Sequence, residues 1–115
     1  MQMEFSMVNR TLVVALKGEI DHHTCVEIRE VVEREYQRNR ARDLLFDFEN
    51  VNFMDSSGVG MLMGRYRSVA IGGGTIGLYN VSKEVEHILK ISGIYKLMKA
   101  YENQEDALSA VAAFA

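Results

Sequence analysis

Apolar and polar residues alternate around Phe5 and Met7, and residues 11–16 are apolar and rich in β-branched side chains, so the pattern predicts two short strands joined by a tight turn at Asn9-Arg10. Gly18 breaks the second strand, and Asp21-His22-His23-Thr24 forms a polar loop. Beyond it Cys25, Ile28, Val32 and Tyr36 recur at spacings of three and four, the stripe of an amphipathic helix, with Thr24 and Glu27 placed as a capping box at its start. Leu44-Leu45-Phe46-Asp47-Phe48 is too short for a helix and reads as a central strand buried on both faces. A second helix opens at Asp55-Ser56-Ser57-Gly58, carries Val59, Leu62, Met63, Tyr66 and Ala70 on one side, and ends at Gly72-Gly73-Gly74. A strand follows over residues 75–79. Ser82 then caps a third helix that points Val85, Ile88 and Leu89 inward and stops at Gly93. Residues 97–101 make a last short strand, and Asn103 with Asp106 caps a final helix through Leu108 and Val111 whose Ala-rich end is expected to fray.

The order β-β-α-β-α-β-α-β-α implies right-handed crossovers and an α/β fold: a mixed, mostly parallel sheet of four to five strands with an N-terminal hairpin and about four helices. At 115 residues, with no linker or repeat, the chain is expected to form one domain over 1–115. Thirteen basic against sixteen acidic residues leave a net charge of −3, which disfavours nucleic acid as a direct partner. No apolar run approaches the ~20 residues of a membrane span, and no export signal opens the chain, so a cytoplasmic protein without membrane attachment is expected. One cysteine, Cys25, offers neither an internal disulfide nor a multi-thiolate metal site. Proline is absent, which leaves chain reversal to glycine. No exposed apolar heptad is evident, which favours a monomer when free.

In open α/β sheets, functional groups gather where strand ends lead into helix N-termini. Two loops qualify, residues 18–23 after the second strand and residues 50–60 after the third. If those strands are parallel neighbours, Glu19, Asp21, His22 and Asp55 surround Ser56. Free backbone N–H groups and the helix dipole make that spot favourable for an anion such as a phosphate. The plainer alternative is that Asp55 or one serine is simply an N-cap. Two successive hydroxyls exceed what one cap needs, however, and Gly58, Gly60 and Gly64 leave a side-chain-poor helix start that invites close approach; packing of the helix on its own sheet is the competing use of those glycines, of Gly64 in particular. Met54, Met61 and Met63 serve either as an adaptable contact surface or as core. Ser56, His22 and Asp21 supply the residue types of a hydrolase triad, but Gly-x-Ser-x-Gly is missing. Gly58-Val59-Gly60 lacks the remainder of a phosphate-binding loop. Asp47 and Asp55 leave open a receiver-like phosphoaspartate signalling domain. His22 and His23 adjoin in one loop, an arrangement that does not complete a metal site.

Residues 18–24 (Gly-Glu-Ile-Asp-His-His-Thr) and 53–60 (Phe-Met-Asp-Ser-Ser-Gly-Val-Gly) closely resemble the two signatures of the anti-sigma factor antagonists, which are STAS domains. The likeness runs from about residue 5 to residue 108 and includes Gly64-Arg65-Tyr66 and Ile91-Ser92-Gly93-Ile94; the paired histidines and the Gly-Arg-Tyr segment resemble the sporulation branch of endospore-forming bacteria. The resemblance implies a non-enzymatic switch without cofactor. The unphosphorylated protein would bind an anti-sigma factor that is also a serine kinase and so free a sporulation sigma factor; phosphorylation would end binding, and a serine phosphatase would reset it. The acceptor maps onto Ser56, with Ser57 as the alternative. The same resemblance assigns the partner-binding surface to Glu19, Asp21, His22, Asp55, Ser57, Gly58, Gly60 and Met61.

Overall fold

The computed structural model describes residues 1–113; the fraying expected of the chain end falls partly on residues 114–115, outside the described residues. Five strands and four helices follow in the order β1 (Gln2–Val8), β2 (Thr11–Ile20), α1 (His22–Arg38), β3 (Asp43–Met54), α2 (Ser56–Ile71), β4 (Ile76–Tyr79), α3 (Lys83–Ser92), β5 (Lys99–Tyr101) and α4 (Gln104–Ala112). A short 3-10 turn, Ile94–Lys96, precedes β5. One sheet holds all five strands in sequential order, β1-β2-β3-β4-β5. β1 is antiparallel to β2, and the remaining neighbours are parallel. The α/β class and the N-terminal hairpin are therefore as the pattern predicts.

Alternation along the strands divides the core in two. Leu12, Val14, Leu16, Leu44, Phe46, Ile76 and Leu78 face the layer of α1, α2 and α3, which contributes Ile28, Val32, Leu62, Val69, Val85 and Leu89. The other face carries Val13, Leu45 and Tyr79, covered by Ala107 and Val111 of α4. Asp43 and Gly74 fix the entrance to the central strand: the Asp43 carboxylate accepts the Thr75 N–H at 2.9 Å and is paired with Arg42 at 2.8 Å.

Several local expectations are corrected. Gly18 does not end β2; it lies within the strand at φ 126°, between register shifts that mark bulges, and the strand runs on to Ile20. Likewise β3 extends to Met54, so residues 50–54 are strand, not loop. The bulges lie on β3, where the buried Phe48, Val51 and Met54 fall three apart, so strict alternation does not reveal that extension; on β2 the alternation from Leu16 to Ile20 is intact and only the glycine suggests a break. The capping box of α1 sits one turn earlier than the Thr24/Glu27 pair: Asp21 is the N-cap and Thr24 the third helical residue. The buried stripe of α2 is Gly58, Met61, Leu62, Arg65 and Val69; Val59, Met63 and Tyr66 are half-buried and Ala70 is exposed. A buried arginine and a buried glycine carry that stripe, which an apolar count cannot see.

Candidate functional site

The bulged ends of β2 and β3 stay paired, Glu19 beside Phe53 and Ile20 beside Met54, beyond the last residue that β4 reaches on β3. The chain leaves both strands at the same level, so Asp21 and Asp55 become N-caps of adjacent helices. A hydrogen bond from the Asp55 N–H to the Ile20 carbonyl, 3.1 Å, ties the two starts together. Two positive helix ends thus lie side by side.

Each cap is fully engaged. Asp21 Oδ1 accepts the Thr24 N–H at 2.9 Å, while Thr24 Oγ1 accepts the Asp21 N–H at 2.9 Å and donates to the Glu19 carbonyl at 2.8 Å. That backbone hydrogen bond from Thr24, partly opposed by desolvation, holds the Asp21 carboxyl below its usual 3.8. Asp55 Oδ1 accepts the Ser57 N–H at 2.8 Å. Asp55 is the cap itself, so Ser56 and Ser57 are free of that task. Ser56 is the first residue of α2 and exposed, whereas Ser57 is half-buried.

The remaining predicted residues divide by exposure. Glu19, His22 and Gly60 are exposed. Gly58 is buried, and a Cβ there would collide with the Met54 side chain and meet Ile20 Cγ2 at 3.0 Å, so its missing side chain serves packing against the sheet. At Gly60 and Gly64 a Cβ would meet nothing within 4 Å. The packing use falls to Gly58, not Gly64. Met61 is only 6% exposed and Met54 likewise 6%; both are core residues, while Met63 is half-buried. A groove of about 390 Å³ between α1 and α2 gathers His22, Cys25, Ser57, Gly60, Met61 and Arg67, with Met61 at its floor. Burial raises the Cys25 thiol pKa, with the charges of Asp55 and Asp21 adding to it.

Phe53, 47% exposed and paired with Glu19, belongs to this surface though the sequence does not single it out, because adjacent Phe53 and Met54 look alike until the backbone turns one to water and the other to the core. Arg65, also missed, is 8% exposed and binds α2 to α1 through Glu33, whose carboxylate also accepts from Ser68 Oγ at 2.7 Å. Desolvation opposes the Glu33 charge, yet the bonds from Ser68 and Gln37 and the Arg65 cation hold its pKa below the usual value.

Other chemistries find little support. Among the described residues no hydrogen bond joins Ser56 to His22. Asp47 lies mid-strand in a surface recess with Val13 and Tyr79, its carboxylate accepting from the Glu49 N–H at 3.0 Å and Asn80 Nδ2 at 3.2 Å. The sequential strand order differs from the 2-1-3-4-5 order of doubly wound receiver domains. No helix among the described residues is long and apolar enough to cross a membrane.

The family model described as the STAS domain matches residues 2–107. The chain is 35% identical over 109 residues to a protein of Paenibacillus polymyxa named anti-sigma F factor antagonist, across 95% of this chain and 93% of that one. Among solved structures it is similar to the anti-sigma factor antagonist SpoIIAA in its unphosphorylated form, with a TM-score of 0.83, 33% identity and 97% of each chain covered. It is also similar to the Bacillus cell fate determinant SpoIIAA in the phosphorylated form, with a TM-score of 0.73, 32% identity, and 96% and 99% of the two chains covered.

Proposed function

The chain belongs to the STAS domain family, and on that premise we propose that it is an anti-sigma factor antagonist switched by serine phosphorylation. In this reading the plain form binds an anti-sigma factor with serine kinase activity and releases a sporulation sigma factor. The kinase then modifies Ser56, which ends binding, and a serine phosphatase restores the plain form. The protein itself catalyses nothing. The carrying observation is the exposed Ser56 at the first position of α2, beside the start of α1 and clear of the Asp55 cap. Relatives named as antagonists, and solved SpoIIAA structures in both phosphorylation states, support the same reading.

The energetics suit a switch. A phosphate adds about −1.5 to −2 charge where the helix end already favours an anion, so the fold accepts it. A partner carboxylate ~6 Å away is repelled by about 3 kcal/mol per unit charge at an effective dielectric of ~20. Each unit of added charge weakens binding on the order of a hundredfold. Glu19, Asp21, His22, Phe53, Ser57 and Gly60 form the surrounding contact surface in this proposal, with Met61 and Gly58 beneath it.

Incubation with the cognate anti-sigma kinase and ATP is expected to give an acid-stable phosphoserine in the peptide containing Ser56, lost in Ser56→Ala and retained in Ser57→Ala. Ser56→Ala keeps its affinity for the kinase, and Ser56→Asp loses about tenfold or more. An acid-labile acyl phosphate on Asp47 or Asp55, or equal binding by plain and phosphorylated protein, overturns the reading.

A further inference from the structure

We propose that the outer edge of β1 pairs with β1 of a second copy of this chain, antiparallel about Phe5, to form a weak reversible dimer in which two five-stranded sheets become continuous. The proposal stands apart from the phosphorylation switch and replaces the monomer expected from the sequence.

β1 is an end strand of seven residues, and among the described residues no strand lies on its outer side. Exposed edges are usually blunted by lysine, proline, bulges or short length. The opposite edge obeys this rule, since β5 has three residues and begins with Lys99. β1 contains neither lysine nor proline, and its register against β2 runs without a shift from Gln2↔Lys17 to Val8↔Thr11. It is an unbulged edge of full strand length whose one charged residue is Glu4.

The hairpin dictates which backbone groups face outward. Asn9-Arg10 is a two-residue turn, with Asn9 at φ 54°, and Val8↔Thr11 is its hydrogen-bonded closing pair. Hydrogen-bonded and non-bonded pairs alternate along an antiparallel ladder. Gln2, Glu4, Ser6 and Val8 therefore direct their backbone groups to β2. Met3, Phe5 and Met7 direct theirs away from the sheet.

Pairing about a two-fold axis at Phe5 uses all of them. Phe5 faces Phe5 of the second copy and Met3 faces Met7 at each end, so three residue pairs exchange both backbone bonds. The same register puts Met3, Phe5 and Met7 of both chains on one face, continuing the surface where Met3 and Phe5 already pack against the helix-side core and Met7 is left 36% exposed. On the other face Glu4 meets Ser6 and Gln2 meets Val8. Lys17, paired with Gln2 and diagonal to Glu4, supplies a nearby cation. Neighbouring registers are worse. An axis at Glu4 sets two carboxylates directly opposite each other, and an axis at Ser6 leaves Met3 unpaired and places Glu4 against Val8.

In this dimer the Ser56 surfaces lie at the far ends of β2 and β3 and point in opposite directions, so neither is covered. Sedimentation of the full chain from low micromolar to millimolar concentration is expected to show the mass rising from 13.0 kDa towards twice that value. Ser6 is exposed, so its variants keep the fold. Ser6→Glu places a carboxylate opposite Glu4 at both ends and weakens the dimer about tenfold, whereas Ser6→Lys tightens it. In a Cys25→Ser background, Phe5→Cys brings two thiols together across a bonded pair whose Cα separation of about 5.5 Å suits a disulfide, and oxidation yields a covalent dimer. A monomer throughout the range, or a dimer indifferent to both Ser6 substitutions, overturns the proposal; the second result assigns association to another surface.

Discussion

At the scale of single residues, the glycines near the site divide sharply. A methyl group on Gly58 would collide with the Met54 side chain, and one on Gly74 with the Arg42 carbonyl oxygen. The first neighbour is a flexible side chain that can yield, and the second is backbone that cannot. Gly58→Ala is expected to lose about 1–3 kcal/mol, the usual scale of overpacking, and Gly74→Ala more. Gly60→Ala, in open space on an exposed helix surface, should gain up to about 1 kcal/mol and raise the thermal midpoint by a few degrees. Thermal melts of the three variants check the order. The sequence shows Gly58, Gly60 and Gly64 as one small-residue group; only the turn-by-turn position against Met54 and Ile20 separates a packing glycine from an open one. Ser56 and Ser57 are similar in this respect. Adjacent hydroxyls are equivalent in the sequence, and the helix phase exposes one while turning the other toward the groove.

At the scale of elements, paired strand ends convert two separate motifs into one surface. Both helices begin directly after the Ile20↔Met54 pair, so the two loops singled out in the sequence do meet. What escaped was the extent of the strands: on β3 the extra residues between 47 and 53 place the buried Phe48, Val51 and Met54 three apart and disrupt the period of two on which recognition depends, and on β2 a glycine stands inside the strand at residue 18. The α1 cap was displaced for a related reason: Asp21-x-x-Thr24 and Thr24-x-x-Glu27 share one spacing, and only the backbone shows that Asp21 holds the extended φ/ψ of a cap. Capping gives α1 a pH signature. Asp21 has a lower pKa folded than unfolded, so its contribution is fully present above the ordinary carboxyl value of 3.8 and disappears as pH falls through the lowered value. Asp21→Asn should therefore flatten the acid limb of a stability–pH curve below about pH 4 while leaving its slope near neutrality unchanged. Urea titrations at stepped pH provide the check.

At the scale of the whole molecule, three helices cover one face of the sheet and a single helix the other, and the site occupies the end where α1 and α2 begin. In the proposed switch an anion at Ser56 meets the positive ends of two helices, so phosphorylation there would need no rearrangement of the layers. Amide NMR spectra of the plain and phosphorylated protein should differ near residues 19–24 and 53–61 and coincide over α3, α4 and β5. Shifts spread through those distant elements would mean that the switch works by refolding. The overall class was readable because each strand and helix carries its own period. The site was readable only as two candidate loops, since adjacency of β2 and β3 is a property of the sheet.

Sequential strand order has a last consequence, for how the chain is made. Every strand takes its place next to the one synthesised just before it, and none must later be inserted between two already in position. The hairpin can stand as a template while α1 and β3 are still leaving the ribosome, and each following βα unit adds to the growing margin. Assembly can therefore keep pace with translation from the N-terminus onward.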